Sequence, residues 1–383
     1  MTGTTSPDTR QAWPAPLDER LCHTLVADAL QHVNRELVEV RAAQFLSTHP
    51  WAPGKRLRPI TFLLSNLCVR LHNRRDMRIN GRESRLACAI ELFHEASLVH
   101  DDLVDRAQLR RGAPTIQMSS GEGLALLVGD YLLFRGLKLV LDAAEGADDI
   151  RLARDLADTG LNVAMGEAEQ LYRYLRRLHD PERLQMKTYL DLIAKKTAGL
   201  FAACAEAGAA MEGADETMRL QFRDFGMNLG IAFQMIDDVM DVAGDAAAAQ
   251  KTLRSNLGEG TVTLPMIHAL AAAPQHAALL TVGQTPDPDS AAYREFSALL
   301  QHPDTLAACA RSIDDYAAKA RAALALAPLN IYRVGLEDLL DYICDCPWGG
   351  APLSAVRDVG TPAKTPARRA QRRRGRRPAP DPD

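Results

Sequence analysis

The sequence predicts an all-α helical bundle with its site between facing helices. Three observations lead there: apolar residues return at helical spacing through most of the chain, strand-like alternation is nearly absent, and two Asp-Asp-x-x-Asp clusters lie far apart inside such helical runs. With 383 residues, 47% hydrophobic and 25% charged, the chain can bury a large core. Length alone favours two domains. Clusters that share one centre need a single domain, however, and nothing between them reads as a linker, so residues 17–350 are expected to form one unit.

Taken in order, residues 1–16 carry no apolar period and are expected to be disordered. Leu21, Leu25, Ala29, Val33, Leu37 and Val40 then mark an amphipathic helix over 17–47. The same period predicts helices over 57–71, 83–106, 121–143, 149–178, 182–211, 215–243, 262–273, 304–326 and 330–345. Breakers separate them: Pro50 to Pro53, Asn80-Gly81, Gly112 to Pro114, Asp180-Pro181, Gly244 and the GQTPDPDS loop from Gly283. No repeat beyond the doubled Asp cluster points to a solenoid.

Composition bounds the setting. No apolar run reaches the ~18 residues of a membrane span, and MTGTTSPDTRQAWPAPL lacks the regions of a signal peptide, so a cytoplasmic protein is expected. Seven scattered cysteines without paired spacing read as buried thiols. Residues 364–377 hold eight Lys or Arg and no acid, so the formal charge of −4 conceals a more acidic body. Flanked by prolines and without apolar anchors, this part of the tail, within 351–383, is expected to be disordered. Solvation is its bland fate, and peripheral contact with a membrane the sharper one; no nucleic acid partner is expected.

The chemistry lies in the clusters. Asp101 with Asp105, and Asp237 with Asp241, stand four apart on a helix, where side chains meet at about 6 Å and like charges repel. A cation relieves that crowding. Magnesium takes oxygen ligands, keeps several waters, and is commonly shared between a few carboxylates and substrate phosphates, so the spacing points to a phosphorylated substrate. One such cluster is weak evidence, and the near miss at Asp338 to Asp341 reads as a solvated helix face. Context strengthens the two: Arg110 and Arg111 follow the first, Gln234 precedes the second by a turn, and GKRLRP at 54 and Lys195-Lys196-Thr197 add cations beside apolar helices.

GKRLRP at 54, HDDLVD at 100, RRGAPT at 110, GDYLL at 129, KT at 196 and FQMIDDVMD at 233 stand in one order, over roughly residues 50–345, that resembles the trans-isoprenyl diphosphate synthase (polyprenyl synthetase) family. The resemblance implies an isoprenoid synthase-type bundle around a central apolar cavity. It also implies a prenyltransferase that joins isopentenyl diphosphate to an allylic diphosphate, with two or three magnesium ions, and a homodimer. Asp101, Asp102 and Asp105 would hold metal on one side of the allylic diphosphate, and Asp237, supported by Asp238 and Asp241, on the other. Arg110, Lys196 and Lys251 would grip that diphosphate. Lys55, Arg58, His94 and Arg111 match the pocket for isopentenyl diphosphate. Thr197 and Gln234 match positions facing the reacting carbon, and Asp130 would support the basic residues from behind.

The chain also departs from the family pattern. Asn256 stands where an Asp is usual, Thr261 where a second Lys is usual, and residues 344–350, CDCPWGG, replace a basic end. Ala96 and Ser97, one turn below Asp101, are small where short-chain synthases often carry an aromatic, and Phe93 lies deeper. That favours a geranylgeranyl or medium-chain product with Phe93 as floor. A terpene cyclase on the same fold and a non-catalytic subunit of a heteromeric synthase are the alternatives. The intact set Lys55, Arg58, His94 and Arg111 speaks against the first, and two complete Asp clusters against the second.

Overall fold

The computed structural model describes residues 24–41, 54–175, 184–243, 253, 256–257, 261–280 and 287–345. Both chain ends, including the basic stretch at 364–377, and Lys251 lie outside the described residues.

The first helix, α1 (Thr24–Arg41), turns Val26, Ala29, Leu30, Val33 and Leu37 inward, as its apolar period requires. Helix α2 (Leu57–His72) is buried along almost its whole length. Helix α3 (Gly81–Val104) begins where expected: Asn80 caps it, and the Glu83 carboxylate accepts in return from the Asn80 N–H, a reciprocal capping box. A two-stranded antiparallel hairpin, β1 (Leu109–Arg110) and β2 (Ala113–Pro114), follows, turned by Arg111 and Gly112 with φ of 51° and 79°. Then come α4 (Ile116–Ser120), α5 (Glu122–Asp142) and α6 (Ala147–Leu175). Helix α7 (Met186–Ile193) passes through one π-helical turn, Ala194–Ala198, into α8 (Gly199–Met211). After α9 (Glu216–Ala243) the chain adds α10 (Leu264–Ala272), a 3-10 turn (Pro274–Leu280), α11 (Ala291–Leu300), α12 (Pro303–Ala325) and α13 (Ile331–Asp345).

The helices that carry the two Asp clusters are inner ones. Helix α3 packs on α2, α2 on α8, and α8 on α9, while α5 covers the other side of α3 and α12 covers α9. Two of these contacts are backbone against backbone. A Cβ at Gly208 of α8 would lie 2.2 Å from the Phe62 carbonyl of α2, and one at Gly226 of α9 would lie 2.4 Å from the Phe201 carbonyl of α8. Glycine alone permits that approach. At the end of the bundle away from the Asp clusters, Arg70 of α2 pairs with Glu83 of α3 and, at 2.6 Å, with Glu212 after α8, which also accepts from Asn66 at 3.0 Å. Breaking such a buried pair on one side typically costs about 3–5 kcal/mol, so this triad pins three elements at once.

The main core cluster runs from Val26 to Cys344, and a smaller one gathers Val242, Leu253, Leu257, Met266 and Phe296. Cys68, Cys88, Cys204, Cys309 and Cys344 are buried free thiols, as the spacing suggested; Cys22 and Cys346 lie outside the described residues. The outer helices α5 and α6 are different. Leu127, Phe134, Leu141, Leu161 and Met165 stand 58–66% exposed, an apolar face larger than a scatter of single residues. Among the described residues, no helix is long and apolar enough to cross a membrane.

Candidate active site

Both acid clusters sit at helix C-termini. Asp101 and Asp102 close α3 and Asp105 is its C-cap, while Asp237, Asp238 and Asp241 occupy the last two turns of α9. Such ends already carry negative partial charge, so carboxylates placed there are doubly in need of a cation. The ionisation of the acids records this. Burial pushes Asp101 up to about 7, with Glu167 and Asp105 adding to the rise and Lys196 and Arg110 opposing it. Burial likewise raises Asp241 to about 7, with Asp237 and Asp238 contributing, and raises Asp237. Asp237 and Asp241 remain reached by solvent.

The clusters face common partners. Arg110 donates from Nε to both Asp102 oxygens, at 2.8 and 2.9 Å, and its charge also acts on Asp101 and Asp237. Lys55 and Arg58 act on Asp237 as well. Lys196 reaches Glu167 at 2.6 Å, and Glu167 and Asp101 together hold its pKa up against burial. The expected diphosphate grips Arg110 and Lys196 are thus paired with acids in this structure.

Asp238 is placed unlike the others. It is 8% exposed and accepts from Gln234 Nε2 at 3.0 Å, Tyr189 Oη at 2.8 Å and the Leu264 N–H at 3.1 Å. Gln234 in turn accepts from the Thr197 hydroxyl at 2.7 Å.

Beside the acids lies a group of side chains of opposite sign. Arg58 is buried, its guanidinium 4.6 Å from the Phe201 ring centroid and its Nε without a hydrogen-bond partner. Burial lowers the pKa values of Arg58 and Arg111, and pushes His94 well below its ordinary value, with Arg58, Arg111, Arg110 and Arg56 adding to that fall. His94 is therefore neutral among guanidinium groups. Their counter-charges are Glu91 and Glu95 on α3, which pair with Arg56 and act on Arg111. Arg56 adopts φ 56° and Arg111 φ 51°, left-handed backbone that side chains rarely accept, and the Arg56 ion pairs hold one of them.

Several sequence expectations need correction or completion. Asp130 meets His100 at 3.4 Å rather than the Arg and Lys residues it was expected to support, because it projects from α5 onto the opposite side of α3. Phe93 lies against Gly136 of α5, where an added Cβ would come within 2.9 Å of the ring. Ala96 is buried, and Ser97 donates to the His94 carbonyl at 2.8 Å. A cavity of about 830 Å³ lies between α6 and α8, lined by Asp155, Thr159, Lys195, Glu206, Arg219 and others, and none of the six acids lines it. Thr261 donates its N–H to the Asn256 carbonyl at 2.9 Å. Glu167, Tyr189, Arg56, Glu91 and Glu95 were not foreseen. A Gly-Glu pair inside the α6 period, and acids spaced by four on α3 opposite the GKRLRP cations, were the available signals.

Among the described residues, no three acidic, His or Cys side chains converge into a ready cation cage. Magnesium does not require one, since it shares its shell with water and phosphate, and crowded carboxylates with raised pKa values fit it. The chain matches the Polyprenyl synthetase family over residues 41–297. It belongs to that family. Heptaprenyl diphosphate synthase component 2 of Geobacillus stearothermophilus is 36% identical over 295 residues, 76% of this chain and 86% of the relative. The octaprenyl diphosphate synthase of Haemophilus influenzae is 32% identical over 289 residues, covering 75% of this chain and 82% of that protein. Among solved structures, polyprenyl synthase from Caulobacter crescentus CB15, complexed with calcium and isoprenyl diphosphate, superposes with a TM-score of 0.71 at 32% identity, covering 86% of this chain and 96% of the other. This polyprenyl synthetase is a trans-prenyltransferase with the all-α fold of its relatives.

Proposed function

We propose that the protein condenses isopentenyl diphosphate with an allylic diphosphate and releases a medium-chain polyprenyl diphosphate. One observation carries this: the buried Arg58 and Arg111 guanidinium groups, with neutral His94 among them, stand beside the carboxylate clusters, their charges acting on Glu91, Glu95 and Asp237. Two sites of opposite sign suit two diphosphates, one bound directly and one bound through cations. Magnesium held by Asp101, Asp105, Asp237 and Asp241, with Asp102 beside them, would neutralise charge on the departing diphosphate and so let the allylic C–O bond ionise. Arg110 and Lys196 exchange their acidic partners, Asp102 and Glu167, for the oxygens of that diphosphate. Lys251 joins them on the resemblance alone.

Lys55, Arg58 and Arg111 hold the second diphosphate, and neutral His94 adds hydrogen bonds without adding charge. The alkene then attacks the allylic cation, and the proton lost afterwards passes to the released diphosphate. Thr197 and Gln234 turn oxygen dipoles toward the cation and stabilise it. Small Ala96 and Ser97 below Asp101 favour a product longer than farnesyl, and relatives named heptaprenyl, octaprenyl and geranylgeranyl diphosphate synthases lend support without fixing its length. The exposed face of α5 and α6 we assign to a second copy of this chain. The Geobacillus relative is named as one component of a synthase, so a different second polypeptide is the rival occupant.

Purified protein supplied with isopentenyl diphosphate, magnesium and each allylic donor in turn tests the proposal, with products resolved by chain length. Linear diphosphates longer by whole isoprene units are expected. A cyclic hydrocarbon from the allylic donor alone would overturn the reading.

A further inference from the structure

Tyr189, Asp238, Gln234 and Thr197 form one continuous hydrogen-bonded chain running from α7 through α9 to the π-helical turn. Its direction is fixed by chemistry. An ionised carboxylate can only accept, so the Tyr189 hydroxyl and the Leu264 N–H must donate to Asp238 Oδ2, and the group facing Oδ1 must be the amide nitrogen of Gln234. The Gln234 oxygen therefore points at Thr197, 2.7 Å away, and because that oxygen cannot donate, the Thr197 hydroxyl spends its hydrogen there. What the two oxygens, Thr197 Oγ1 and Gln234 Oε1, retain for the cleft is lone pairs. Without Asp238 the carboxamide could turn over, present N–H to Thr197 and free the hydroxyl hydrogen to face the reacting carbon. The dipole would then oppose a cation.

We propose that Asp238 is a positioning residue: buried and bound by three donors, it sets the orientation of the Gln234 carboxamide and so the sign of the dipole that Thr197 and Gln234 offer the allylic cation. This rests on the prenyltransferase reading above and separates Asp238 from the acids that hold metal. Tyr189 is 3% exposed and serves the same end one step further back, by fixing the Asp238 carboxylate.

A double-mutant cycle tests it. Asp238→Asn should lower kcat by about 10–100-fold, the range for partners that orient a reacting group, with KM for both diphosphates within about twofold of wild type. In a Gln234→Leu background the same substitution should change kcat by less than about twofold, because its target is gone. Calorimetric binding of magnesium pyrophosphate should be unaltered in Asp238→Asn. Should that variant fail to fold by circular dichroism, Tyr189→Phe replaces it in the cycle, with a smaller loss that again vanishes beside Gln234→Leu. Additive losses, or loss of magnesium pyrophosphate binding, would show that Asp238 acts by itself and overturn the inference. A wild-type protein that elongates no donor sinks the proposed function instead, and this inference with it.

Discussion

Asp101, Asp238 and Asp241, with pKa values of about 7, 6 and 7, hold protons in the folded state that the unfolded chain has already released near pH 4. Between roughly pH 4 and 7 the native protein therefore binds more protons than the unfolded one, and these groups make it less stable as pH rises through that window. A divalent ion works against the same repulsion. Thermal unfolding of metal-free protein should show this contribution as a lower Tm at pH 8 than at pH 6, and magnesium should raise Tm more at pH 8, where the ligands are ionised. Equal magnesium shifts at both pH values would mean that the carboxylates are not crowded. At this scale motif order named all six acids and the Arg58, His94 and Arg111 set as candidates. It could not name Glu167 and Tyr189, because each acquires its role from a partner on another helix, Lys196 or Asp238, and no local pattern announces that contact.

Helices were the easiest elements to foresee, since long amphipathic periods survive any packing. The expected run over 83–106 became Gly81–Val104, and that over 215–243 became Glu216–Ala243. The run over 182–211 was read as one helix, but a π-helical turn at Ala194–Ala198 divides it, and a single extra residue in a turn leaves no periodic trace. The hairpin at Leu109–Pro114 has two residues in each strand, too few for alternation to register, and α11 is a ten-residue helix behind a Pro- and Asp-rich loop. Close approach between helices was equally hidden. Gly208→Ala should destabilise the protein by about 1–3 kcal/mol in denaturant unfolding, as overpacking does, because the new methyl meets the α2 backbone rather than a side chain that can move. A neutral result would show that α2 and α8 stand further apart than described.

For the molecule as a whole, the exposed apolar face of α5 and α6 was not predicted by any argument from the residues, because a helix that buries two faces reads much like one that buries a single broad face. Homodimer formation was expected from the resemblance alone. Phe134, 66% exposed on α5, is the natural place to test it. Phe134→Arg should leave the circular dichroism spectrum intact while sedimentation velocity shifts toward the monomer. A wild-type protein that already sediments as a monomer would instead favour a different second chain on this face.

Helices α2 and α8 form a packed stack between α3 and α9, which end in the two acidic clusters, and at Gly208 and Gly226 the contacts within that stack are main chain on main chain. The gap between the clusters is thus gauged by polypeptide thickness, like the opening of a calliper, and not by adjustable side chains. A methyl added at Gly208 or Gly226 would therefore push apart the helices of that stack before it touched any ligand.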